Sequence, residues 1–168
     1  MKMKAKVGIA VALTTVIGGL AMATPIIKLA TPIFSTGTVS GAVNSHGVAS
    51  VPDPDNDEWF NARLTTDGPS TVTIQDGAYA APGGQNGWHS HPGVVIVTLI
   101  SGSIEWFDGN CDKKVYNAGD AWTEGSQIHA FRVLGTTAVH LSAVFIIAKD
   151  QAYRIDKPAP ACASGLGL

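Results

Sequence analysis

From Trp59 onward, apolar and polar residues alternate over short runs, the period of two that marks half-buried strands. "STVTIQDG" places Val72 and Ile74 on one face. "GVVIVTLISGSIEWFDGN" reads as two strands around Ser101-Gly102, a hairpin turn signal, with Asp108-Gly109-Asn110 as the next turn. "KKVYNAGDAW" follows, broken at Gly119-Asp120, and "HAFRVLGTTAVHLSAVFIIAKD" reads as a second hairpin around Leu134–Thr137. Helix patterns are nearly absent. Short strands at this spacing predict an all-β sandwich or barrel over residues 59–155, followed by a tail, 156–168.

Upstream the pattern is different. Residues 24–58 hold small residues and prolines with no clear period, so they read as a linker or arm with short extended pieces. Ahead of them, Lys2, Lys4 and Lys6 precede the apolar run "VGIAVALTTVIGGLAMA", which ends on the pair Ala21 and Ala23. That is the layout of a signal segment, residues 1–23, and predicts cleavage after Ala23. The alternative is an uncleaved anchor, because residues 7–27 carry no charge over a length that spans a bilayer. Thr14, Thr15, Gly18, Gly19 and Pro25 interrupt that run and favour cleavage. Either way the rest of the chain is expected outside the cytoplasm: secreted, periplasmic or at the cell surface, and membrane-attached only if the leader stays.

Composition narrows the function classes. Of 168 residues, 45% are hydrophobic, enough for a core, and only 14% are charged, with a net charge of −2. Lys and Arg are scattered with no basic stripe, which argues against a nucleic-acid partner. Cys111 and Cys162 are the two cysteines, and outside the cytoplasm such a pair is expected to form a disulfide that pins the tail.

The chemistry concentrates in "GGQNGWHSHPGVVIVTLISG", residues 83–102. In a strand, residues i and i+2 face the same side, so a strand starting near Trp88 aims His89 and His91 together as a two-point chelate. His129, just ahead of "AFRVL", is a third ligand that barrel closure could bring alongside. Val95, Val97 and Leu99 continue the inward face, and Phe131, two residues after His129, shares its face, so the predicted pocket is apolar around a metal and suited to a small molecule. Trp88 points away; Trp106 and Trp122 read as core. His46 and His140 read as ordinary satisfied polar residues.

This arrangement resembles the cupin family. The first cupin motif, G-x5-H-x-H-x3–4-E-x6-G, is matched by Gly83, His89, His91 and Gly102, with Val95 where the glutamate belongs. The second, G-x5-P-x-G-x2-H-x3-N, is matched loosely: Gly119 begins it, His129 comes one residue early, and Gly125, Gln127 and Val133 replace the proline, glycine and asparagine. The resemblance covers about residues 65–148. It implies a single double-stranded β-helix (jelly-roll) barrel with His89, His91 and His129 around a divalent transition metal: iron, manganese, nickel, copper or zinc. Without the glutamate, three neutral imidazoles leave the metal's charge uncompensated, which weakens binding and favours an anionic ligand. Some cupins that oxidise thiols lack the same glutamate. Gln127 and Glu124 are candidate fourth ligands, and Glu105 is either a further one or solvated. The expected activity is dioxygenase-like chemistry on a small organic molecule, because the predicted pocket shows no protein general base. The alternatives are a non-catalytic binder of metal or small ligand and a metal-free scaffold barrel. Homodimers are common in the family, so a homodimer stays open.

Overall fold

A computed structural model describes residues 26–27, 31–50 and 59–168. The expected signal segment, 1–23, lies outside the described residues, as does the link at 51–58. Two five-stranded antiparallel sheets face each other. The first runs β1 (Ile33–Val39), β4 (Ser70–Tyr79), β11 (Val139–Ala148), β6 (Val94–Ser101), β9 (Ala121–Glu124). The second runs β12 (Ile155–Asp156), β5 (His89–Ser90), β10 (His129–Val133), β7 (Ser103–Asp108), β8 (Lys113–Asn117). A separate ribbon pairs β2 (Val43–Ser50) with β3 (Trp59–Thr66). The stretch expected as an arm therefore carries β1, an edge strand of the first sheet, and half of this ribbon.

Alternation builds the core between the sheets. On β6, Val95, Val97 and Leu99 are buried while Val94, Ile96 and Ile100 are exposed. On β11 the inward set is Val139, Leu141, Ala143, Phe145 and Ile147. A second cluster forms on the outer face of the second sheet, where Trp88, Phe107, Ala130 and Ala163 pack with Leu166 and Leu168 of the tail. The Cys111–Cys162 disulfide holds that tail down, with its Cα atoms 6.1 Å apart. Lys157 N–H also donates to the Trp88 carbonyl at 2.9 Å. Arg132 Nη1 donates to the Leu166 carbonyl at 2.6 Å.

The two expected hairpins are instead corners. β6 pairs with β11 and β9, whereas β7 pairs with β10 and β8, so the chain changes sheets at Gly102. Only that one residue separates the strands, too short for a hairpin loop but enough for a bend. Gly102 has φ 80°, and a Cβ there would lie 2.8 Å from Val139 Cγ2. Likewise β10 and β11 belong to different sheets, joined by residues 134–138. Turn signals mark where a strand ends but not which strand it pairs with next. The turn after Asp108 is a true hairpin between β7 and β8, with Asp108 Oδ1 accepting from the N–H of Asn110 and Asp112.

Gly93, at the entry to β6, lies hard against β11. A Cβ there would lie 2.2 Å from the Ile146 carbonyl oxygen, which is backbone and cannot rotate away. Gly93→Ala is expected to cost about 1–3 kcal/mol or more, as overpacking does. Gly41→Ala, with nothing within 4 Å, is the matched control. Urea denaturation of both variants checks this, and equal midpoints would contradict the packing described.

Candidate metal centre

His89 and His129 are direct cross-strand partners on β5 and β10, which brings residues 40 apart in sequence to a ring separation of 4.3 Å. His91 follows β5 and keeps the inward direction, its ring 4.8 Å from His89. All three are buried. The facing sheet contributes a fourth group, Glu124, the last residue of β9. Its cross-strand partner on β6 is Val95, the residue standing at the glutamate position of the first motif. The carboxylate missing from β6 is therefore supplied by the neighbouring strand. The ligand atoms of His89, His91, Glu124 and His129 all lie within 4.8 Å of one another.

Each imidazole is oriented from behind. Nδ1 of His89 donates to the Gly87 carbonyl at 2.8 Å, that of His91 to Tyr153 at 2.6 Å and that of His129 to Gln127 at 2.8 Å. A carbonyl only accepts, so each Nδ1 carries a hydrogen and each neutral ring turns the Nε2 lone pair to the centre. Outer-shell bonds of this kind fix metal-binding histidines. Glu124 is held the same way: Trp106 and Trp122 both donate their indole N–H to Oε1, at 3.0 and 2.9 Å. That leaves Oε2 facing the histidines, 3.4 Å from His91 Nε2 and 3.2 Å from His129 Nε2. Neither of those buried nitrogens has a hydrogen-bond partner among the described residues.

Lone pairs and a carboxylate converging at one buried point repel one another, and buried polar atoms without partners are costly. A divalent cation answers both costs. Three imidazoles with one carboxylate suit zinc, iron, manganese, nickel or copper. The residues present fit a metal, and the group could hold one through His89, His91, His129 and Glu124. The expectation of an uncompensated charge is corrected by Glu124.

No family model matches the chain, and no curated protein matches it. Among solved structures it is similar to a cupin-like protein from Thermotoga maritima, with 16% identity and a TM-score of 0.47 over 52% of this chain and 65% of that one. It is also similar to a protein with a double-stranded β-helix domain from Klebsiella pneumoniae, with 22% identity and a TM-score of 0.42 over 70% and 85%. A Cupin 2 conserved barrel domain protein from Salinispora arenicola aligns at 19% identity and a TM-score of 0.41 over 46% and 64%. The facing sheets carry His89, His91 and His129 inward, with His89 and His91 at the positions of the first motif and His129 one residue ahead of its place in the second.

The fold is an all-β double-stranded barrel of two facing antiparallel sheets.

Other expected site residues fall in different places within the barrel. Gln127 is exposed and contributes only its carbonyl to His129. Glu105 faces the outer side of the second sheet, bonded to Arg132 and Lys113. Val95, Val97 and Phe131 line the cavity beside the histidines, with Phe145 and Leu141. Trp106 and Trp122 are more than filling, since both hold Glu124. Sequence reasoning missed Tyr79, Asn86 and Arg154, which also line the cavity.

Burial pushes His89 down to about 2, helped by His129 in its protonated form and by the charge of Arg154. Burial opposes ionisation of Glu124, but His129 and His91, in the protonated form that donates from Nε2, and the Trp122 N–H outweigh it and hold its carboxyl well below the usual range in the metal-free site. The native barrel thus keeps His89 neutral at a pH where the unfolded chain protonates it near 6.5. More protons bind to the unfolded state, so stability falls as pH drops below 6.5, by about 1.4 kcal/mol per unit. Glu124 contributes to acid sensitivity only below its ordinary carboxylate range. Chelator-treated protein is therefore expected to lose about 2 kcal/mol between pH 7 and pH 5 from His89 alone. Urea denaturation at the two pH values checks this, and equal stability would contradict a neutral, buried His89.

Proposed function

We propose that this protein is an exported cupin that binds a divalent transition metal and acts on a small organic molecule, in dioxygenase-like chemistry. The observation that carries the reading is the convergence of His89, His91, His129 and Glu124 on one point between the sheets. A bound divalent ion supplies Lewis acidity, or redox chemistry if it is iron, manganese or copper.

The chain's own residues supply the rest. Trp106 and Trp122 hold the Glu124 carboxylate against rotation. Val95, Val97, Phe131 and Phe145 keep water from one side of the cavity. Burial pushes the Tyr79 hydroxyl up to about 12, so at neutral pH it stays a proton donor. The carboxylates beside the cavity are engaged: Asp76 with His140 at 3.0 Å, Glu124 with the two indoles. No lining carboxylate stands ready as a general base, which favours reactions that need none and keeps the non-catalytic binder as a second reading.

The disulfide and the lysine-headed apolar leader support export to an oxidising compartment. The test of activity is a panel of thiol, diketone, flavonol and catechol substrates offered under air to protein loaded in turn with iron, manganese, nickel, copper and zinc. Conversion of one class, abolished by His89→Ala, is the expected result. Metal-loaded protein that converts none leaves the binder.

A further inference from the structure

The cavity beside the metal centre has a second polar end. Tyr79, Asn86 and Arg154 line it together with His89 and His91. Each brings hydrogen-bond donors that have no partner among the described residues. Asn86 uses Oδ1 to accept from Phe131 N–H at 2.7 Å, which leaves its Nδ2 hydrogens unused. Arg154 donates from Nε to Asp156 at 2.6 Å and from Nη2 to the Asn86 carbonyl at 2.7 Å, which leaves Nη1 unused. The Tyr79 hydroxyl has no hydrogen-bond partner among the described residues. Burial keeps it protonated, hence a donor. Arg154 lies close enough for its charge to act on both Tyr79 and His89. Its partner Asp156 is about half exposed, so water screens that pairing.

Unpartnered donors around one guanidinium call for an acceptor-rich anion, and a planar fork suits a carboxylate. Charge agrees. A divalent ion with one carboxylate and three neutral imidazoles carries a net +1, and Arg154 adds another. The cavity measures about 80 Å³, room for roughly five to eight waters and so for a ligand of only a few heavy atoms.

We infer that Arg154, Tyr79 and Asn86 form a carboxylate subsite, which makes the substrate class of the proposed metal centre small organic carboxylates. This rests on the metal reading for the far end of the ligand but not for the carboxylate end, and the experiment separates the two.

Lactate and its uncharged counterpart lactamide are titrated into zinc-loaded and metal-free protein at pH 7, following quenching of tryptophan fluorescence. Inorganic phosphate serves as the general-anion arm. Wild-type protein is expected to bind lactate at least about tenfold more tightly than lactamide and than phosphate. Arg154→Gln is expected to lose that preference with zinc content unchanged. Tyr79→Phe, which preserves shape, weakens lactate several-fold and covers the case in which Arg154→Gln fails to fold. A preference for lactate that persists without zinc supports the subsite even if zinc is not taken up. Zinc uptake with lactate and lactamide bound equally overturns the subsite and leaves the metal centre standing. Phosphate bound as tightly as lactate overturns the carboxylate assignment.

Discussion

Glu124→Gln is expected to strip the barrel of metal while leaving it folded. The amide keeps a carbonyl oxygen where Oε1 sits, so the indole N–H groups of Trp106 and Trp122 keep their acceptor. Its NH2 then occupies the place of Oε2, 3.4 and 3.2 Å from the bare Nε2 atoms of His91 and His129. An N–H2 there donates to those lone pairs and satisfies them without a cation. The variant loses the one negative ligand and gains an internal competitor for the histidines. Loss of an outer-shell partner typically costs 10–100-fold in metal affinity, and loss of a charged direct ligand is expected to cost about 100-fold or more. The metal-free variant should melt at or above the metal-free wild type. Competitive zinc titration against a chelating dye, with thermal melts of the same samples, checks both parts. Unchanged affinity would show that Glu124 is not a ligand.

The second large effect is on stability. Cys111→Ser with Cys162→Ser is expected to cost about 4 kcal/mol, the chain-entropy value for a closed loop of this length. That corresponds to roughly 8–16 °C in melting temperature for a chain of this size. The tail it releases covers Trp88, which is fully buried and directly precedes His89. The segment just ahead of the tail supplies the Tyr153 carbonyl that orients His91. The expected result is a lower melting point together with a red shift of tryptophan emission before global unfolding. A melting point within a few degrees of wild type would mean that β12 pairing and the Arg132–Leu166 bond hold the tail unaided.

How much of this was legible beforehand depends on whether a feature is local. The all-β class, the strand positions after Trp59 and the inward set Val95, Val97 and Leu99 follow from alternation, which each segment carries by itself. His89 and His91 share a face for the same reason. Pairing is not local. Ser101-Gly102 signals a bend, but whether the next strand folds back or crosses to the other sheet is decided by partners such as β10 and β11, distant in sequence. The fourth ligand was hidden by the same limitation. Glu124 meets Val95 only through the β6–β9 register. A signal existed nonetheless. In "AWTE", Trp122 and Glu124 share one face, and a carboxylate on the inward face of an apolar strand is too costly to keep without a partner. Arg154 was harder still, because it lies beyond β11 in an irregular segment with no period to place it.

The most direct test of the metal centre is elemental analysis of the purified protein beside a His89→Ala/His91→Ala variant. Close to one divalent transition metal per chain is expected in the wild type, with its loss in the variant. No metal in either protein, after reconstitution with iron, manganese, nickel, copper and zinc in turn, would contradict it.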